Sequence, residues 1–190
     1  MKKGLLIVFS GPSGVGKGTI LNKLLKDESL KLCFSVSMTT RKPRPGEVNG
    51  REYFFVSKER FKEAINNGEL LEYAEYVEHS YGTPKVYVDK KREEGFNIIL
   101  DIETEGAKQI KEKFNDDVVG IYVIPPSIEE LEKRLIGRGT EDIEVVKKRI
   151  AKTKEQLKDT SVFDYVVIND DLDRTVEEIR NIIKKEENKN

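Results

Sequence analysis

The chain has 190 residues, 37% of them apolar and 36% charged, with a formal net charge of −1. That length suits one domain with a sizeable core, and a near-neutral chain has no global attraction to nucleic acid or an anionic membrane, so neither is an expected partner and any cationic site must be local. One cysteine, Cys33, and one histidine, His79, exclude a disulfide framework, a multi-cysteine metal centre and a paired-histidine zinc motif, and make a Ser-His-Asp triad a poor reading.

The amino terminus, MKKGLLIVFSG, begins with basic residues, but its apolar run covers only residues 5–9. A secretory core needs about 7–15 apolar residues and a membrane span about 18, so a cytoplasmic protein is expected. Residues 5–9 predict a buried strand, and the glycine-rich SGPSGVGKGTI leads into a helix with Ile20, Leu21, Leu24 and Leu25 on one face. Cys33 reads as a small core residue. Residues 37–82 open with a Pro/Gly-rich basic loop. An alternating strand, REYFFV, follows, then a helix capped by Ser57 and ended at Gly68, and an extended stretch, ELLEYAEYVEH, with His79 in a loop. A parallel α/β core does not normally interrupt itself in this way, so the segment reads as an inserted subdomain. Thr83 is the expected N-cap of the next helix, with Pro84 at its first position.

Further strands are expected at 97–102, 118–124 and 163–169, their apolar runs nearly continuous, as in strands covered on both faces. Helices are expected at 103–113, 128–135 (capped by Ser127), 143–157 and 173–185. RLIGRGTED, residues 134–142, places two glycines and two arginines between helices, as a mobile flap would. The final KKEENKN reads as a fraying, solvated end. Alternating strands and helices predict an α/β fold with a mostly parallel sheet and right-handed crossovers.

Gly11, Gly16 and Lys17 satisfy G-x-x-x-x-G-K between a predicted strand and a predicted helix, the context a phosphate-binding loop requires. Glycines let the backbone wrap an anion with its N–H groups inward, the helix N-terminus adds positive potential, and Lys17 reaches the β- and γ-phosphates. Gly18 stands where such loops usually carry a Ser or Thr for magnesium, and Thr19 is the next hydroxyl. Mg2+ remains the expected cofactor because it often keeps several waters and binds through substrate phosphates, with Asp101 at a strand end placed to hold those waters. The loop alone allows an ATPase, a GTPase or a kinase. The N-K-x-D segment by which GTPases read guanine is missing, and INDD at 168–171 does not match it.

The inserted segment supplies a second set of groups. Arg41, Arg44, Tyr53 and Tyr81 suit a phosphate, since guanidinium forks and phenol hydroxyls donate to its oxygens. Glu72 is suited to accept from N1–H and the amino group of guanine, an edge on which adenine offers no such donor pair. Ser37 and Thr83 have hydroxyls for guanine O6.

TTRKPRPGEVNGREYFFV at 39–56, together with GPSGVGKGT, YGTP, LDIETEGA, PPS, RLIGRGT and VINDDLD, resembles the guanylate kinase family along essentially the whole chain. The resemblance implies a P-loop nucleoside triphosphate hydrolase fold with a five-stranded parallel sheet. Its core would comprise 1–36, 84–125 and 149–190, with a GMP-binding subdomain at 37–83 and a lid at 126–148. It implies phosphate transfer from ATP to GMP, with Ser37, Arg41, Arg44, Tyr53, Glu72, Tyr81, Thr83, Asp101 and Glu103 lining the GMP side. For ATP it points to the loop Gly11, Pro12, Ser13, Gly14, Val15, Gly16, Lys17, Gly18 and Thr19, to Arg134, Arg138 and Arg149, and to Asn169 near the adenine. Glu103 stands where an Asp often contacts guanine. Lys17, Arg41, Arg138 and Arg149 are the expected catalytic cations, because preorganised positive charge and in-line placement are the main sources of rate in phosphoryl transfer. Two alternatives stay open from sequence: a guanylate-kinase-like module that has lost catalysis and binds peptides, and a kinase for another monophosphate.

Overall fold

The computed structural model describes residues 2–76, 78–114, 117–137, 143–157 and 160–189. Strand β1 (Leu6–Ser10) leads through the glycine-rich loop into α1 (Lys17–Leu24). β2 (Leu32–Phe34) and β3 (Ser37–Thr39) follow, then β4 (Tyr53–Phe55), α2 (Lys58–Asn66), β5 (Leu70–Tyr76), β6 (His79–Pro84) and α3 (Lys85–Glu93). β7 (Asn97–Asp101), α4 (Thr104–Phe114), β8 (Val118–Ile124), α5 (Ile128–Gly137), α6 (Ile143–Gln156), β9 (Tyr165–Ile168) and α7 (Leu172–Lys189) complete the order.

Five strands form one parallel sheet in the order β2-β7-β1-β8-β9. β1 runs at its centre, with Phe9 beside Asp101 on one flank and Ile121 on the other. Every residue of β1 is buried because alternate side chains enter different cores. Ile7 and Phe9 pack with Ile20 and Leu24 of α1 and with Ile179 and Ile183 of α7. Leu6 and Val8 pack with Val88 of α3 and with Ala107 and Ile110 of α4. Each such aliphatic side chain contributes about 1.5–3 kcal/mol when fully removed from water, so the strand is the best-anchored element near the site.

A second sheet, in the order β4-β3-β6-β5, is built from the inserted segment, with β3–β4 parallel and the other pairs antiparallel. Its own small core joins Met38, Phe61, Ala64 and Leu70. The Gln109 amide on α4 both accepts from the Tyr73 backbone N–H and donates to the Tyr73 carbonyl, tying β5 to that helix. The Ser57 hydroxyl oxygen caps α2 by accepting from the Arg60 N–H, and the Ser127 hydroxyl oxygen accepts from the Glu130 N–H at the start of α5.

Four local expectations are corrected. Thr83 is not a helix cap: it lies in β6, and α3 begins two residues later with Pro84 in the capping position. β2, unrecognised in the sequence, is a half-buried three-residue edge strand that carries Cys33. His79 belongs to β6. The polar tail does not fray, since α7 continues to Lys189 and the Glu187 carboxylate accepts from the buried Asn97 amide at 2.7 Å. Among the described residues, no helix is long and apolar enough to cross a membrane.

Candidate active site

The loop after β1 turns back through backbone conformations that L side chains rarely adopt. Gly11, Gly14 and Gly16 have φ of 152°, 88° and 103°. A side chain at Gly11 would also run into the Val123 carbonyl at 2.4 Å, so the loop hugs the end of β8. Within it Val15 donates to the Pro12 carbonyl and packs its side chain into the core. Lys17, the first residue of α1, folds its ammonium over the loop and donates to the Gly11 carbonyl at 2.7 Å. A loop of this shape at a helix N-terminus is an anion cradle.

Asn169, at the end of β9, locks the loop from beneath. Its buried side-chain amide donates to the Val15 carbonyl at 2.7 Å, and a Cβ on Gly16 would meet that same nitrogen at 2.6 Å. The Asn169 carbonyl accepts from Arg134 at 3.1 Å. Arg149 on α6 reaches the Ser13 hydroxyl at 3.4 Å. Arg138 lies outside the described residues. Thr19 is exposed on α1, and nothing lies within 4 Å of the position a Gly18 side chain would take.

β1 and β7 are neighbours, so the end of β7 delivers Asp101 beside the start of the loop. Its carboxyl faces solvent, but most of its surroundings are protein. That loss of water raises its pKa, opposed by Lys17 and reinforced by Glu103. From Asp101 a cavity of about 310 Å³ extends toward the second sheet, with Ser37, Tyr53, Glu72, Tyr81 and Glu103 in its walls.

Glu72 is the deepest group there. It is 5% exposed, and burial pushes its carboxyl above the usual carboxylate range despite a 2.6 Å hydrogen bond from the Thr83 hydroxyl. Its other oxygen abuts the first turn of α4, where a Cβ on Gly106 would come within 2.8 Å of it. Gly106 therefore makes room for the carboxylate, a role that no local sequence signal announced. Thr83 is fully buried behind Glu72, and its hydroxyl donates to that carboxylate.

At the outer end of the cavity Arg41 lies over the rings of Tyr53 and Phe55, 5.3 and 5.6 Å from their centroids. Tyr53 and Tyr81 meet edge to face at 6.0 Å, and burial raises the Tyr53 phenol's pKa, keeping it a donor. Glu47 holds the Arg41 guanidinium in a two-point fork at 2.8 and 2.9 Å and also accepts from the Arg44 backbone N–H. Those donors keep the Glu47 carboxyl below its ordinary pKa. The Arg44 side chain is exposed on the same loop. Glu47 was not singled out from the sequence, although it stands inside the PGEVNG stretch between the arginines and Tyr53.

One cleft thus carries an anion cradle on one side and, on the other, a buried carboxylate with an arginine and two phenols. Among the described residues no cluster of carboxylate, histidine or cysteine groups could by itself cage a metal ion.

The guanylate kinase family model matches residues 3–186. The guanylate kinase of Lactococcus lactis is 50% identical over 97% of this chain and 89% of its own length, and that of Oceanobacillus iheyensis is 46% identical over the same shares. The crystal structure of guanylate kinase from Anaplasma phagocytophilum superimposes with a TM-score of 0.75 at 34% identity, covering 97% of this chain and 87% of that one. The parallel five-stranded sheet, the loop after β1 and these full-length similarities agree, and the chain belongs to the guanylate kinase family.

Proposed function

We propose that the protein transfers the γ-phosphoryl group of ATP to GMP, giving ADP and GDP, in the cytoplasm, and that the two walls of the cleft hold the two nucleotides. The observation that carries this reading is the pairing of Phe9 with Asp101: it brings the phosphate loop and the Glu72 cavity to adjacent strand ends, where open α/β sheets bind ligands. In this reading residues 37–83 are the acceptor subdomain and 126–148 the lid, of which 138–142 lie outside the described residues.

The acceptor is a phosphate oxygen that is already anionic at neutral pH, so no general base is needed. The obstacle is repulsion between two anions. Lys17 and the loop amides neutralise the donor, Arg41 and Arg44 with the phenols of Tyr53 and Tyr81 receive the acceptor phosphate, and Arg149 stands by Ser13 on the donor side. Glu72 takes the guanine edge, and its partial desolvation makes a purine with two adjacent donors the favoured occupant. Arg41 must divide its fork between Glu47 and the phosphate, or exchange one for the other.

Magnesium fits this site as an ion carried by the nucleotide. The donor set is sparse, Gly18 has no hydroxyl, and Asp101 is the acidic group next to Lys17 with solvent access for a metal's water shell. When bound, the ion supplies neutralisation of the transferring phosphate's charge. The peptide-binding alternative is not favoured, because Lys17, Arg41 and the loop geometry are intact and the relatives are guanylate kinases. A coupled ADP-release assay with GMP, dGMP, AMP and UMP in parallel tests the proposal. Turnover with GMP far above AMP and UMP is expected, and equal or absent turnover on all four refutes it.

A further inference from the structure

The alternation of β5 breaks at Glu72. Leu70 packs into the small core with Met38 and Phe61, whereas Glu72, two residues on, opens into the cavity. In a regular strand those two side chains would share a face. The pairing with β6 accounts for the change: Leu70 lies opposite Pro84 and Tyr73 opposite Gly82, so β5 holds an extra residue between them. Such a bulge re-aims a side chain, but it also disturbs the ladder and leaves backbone groups in need of partners.

β5 is the outer strand of its sheet, and helix α4 supplies those partners. The Lys113 ammonium donates to the Leu71 carbonyl at 2.8 Å. The Gln109 amide accepts from the Tyr73 N–H at 3.2 Å and donates to the Tyr73 carbonyl at 3.0 Å, as the peptide of a neighbouring strand would. Gly106, three residues before Gln109 on the same face of α4, leaves room for the Glu72 carboxylate. The residues on both sides of Glu72 are therefore tied to one helix. We propose that Gln109 is a positioning residue: by pinning Tyr73 to α4 it holds the bulge in register and fixes the depth at which Glu72 meets the guanine edge of the acceptor. The proposal rests on the GMP reading above.

The test is Gln109→Met, which keeps the length of the side chain and removes both bonds. KM for GMP and Ki for guanosine, a ligand with the base but no phosphate, should rise together about five- to tenfold. KM for ATP, and kcat at saturating GMP, should stay within about twofold. In a Glu72→Ala background there is no carboxylate to aim, so the same change should alter KM for GMP less than about twofold. KM and Ki do not depend on the fraction of folded enzyme, so a uniform loss of protein does not move them. In the ligand-free protein the Tyr73 amide should exchange its hydrogen about tenfold faster in the variant, read by NMR. Unchanged constants, a loss for GMP that guanosine does not share, an equal loss in the Glu72→Ala background, or unaltered Tyr73 exchange overturns the proposal. A wild-type protein with no preference for GMP over AMP overturns the GMP reading itself.

Discussion

Asn169→Ala separates a residue that builds the phosphate loop from one that merely lies near a base. Asn169 joins four pieces of the molecule. Its N–H donates to the Ile124 carbonyl on β8, its carbonyl accepts from Arg134 on α5, its side-chain nitrogen donates to Val15, and its side-chain oxygen lies 3.1 Å from the Thr175 hydroxyl on α7. Alanine keeps the two backbone contacts and removes the two side-chain ones. Thr175 retains the Asp171 carbonyl at 2.7 Å, so the main loss is the bond to Val15. That loss comprises about 1 kcal/mol for the hydrogen bond plus about 1 kcal/mol or more for a carbonyl left without its partner. For a chain of this size about 2 kcal/mol lowers Tm by roughly 4–8 °C. Part of the same free energy reappears as the cost of re-forming the loop around a triphosphate, so KM for ATP should rise about tenfold while KM for GMP stays within about twofold. Thermal denaturation and two-substrate kinetics read both effects. Asn169→Asp is the sharper variant, because it keeps the acceptor for Thr175 and sets a carboxylate oxygen against the Val15 carbonyl. A melting temperature within about 1 °C of wild type, with KM for ATP unchanged in both variants, would refute the reasoning.

Lys17→Ala should lower kcat by about a hundredfold or more while leaving GMP affinity within about threefold, read by turnover and by calorimetric titration; unchanged turnover would remove the loop from the mechanism. Glu72→Gln should abolish much of the preference for GMP over AMP in a competition assay. The same variant tests the buried charge through pH. Because the folded-state pKa of Glu72 is raised, its ionisation destabilises the empty protein above the unfolded carboxylate value of about 4.3 and not below it. The glutamine variant should therefore melt higher than wild type at neutral pH, and the difference should shrink as pH falls toward 4; a gap that widens on acidification would contradict the sign. Gly18→Ser meets no atom within 4 Å and replaces a helix glycine, so it should raise stability by about 0.5 kcal/mol in denaturant titration. A loss of stability there would show that the loop backbone needs glycine for another reason.

The sequence by itself determined the elements whose causes are local. The glycine spacing of residues 11–17 demands left-handed and related backbone conformations, and the structure shows them at Gly11, Gly14 and Gly16. The nearly continuous apolar runs of β1, β7 and β8 announced strands covered on both faces. Where two local signals compete, the residues alone could not choose. A threonine before a proline is equally a helix cap or a strand end, and the carboxylate of Glu72, eleven residues earlier in the chain and across the strand pair, decided for the strand. The extent of the last helix likewise depends on a distant contact, since its polar end is held by Asn97, ninety residues away. Only the tertiary structure decided that Glu72 is buried against Gly106, that Glu47 grips Arg41, and that Asp101 comes to rest beside Lys17. Backbone conformation and hydrophobic period are properties of neighbouring residues, whereas burial, pKa and hydrogen-bond partnership depend on what distant segments place around a side chain.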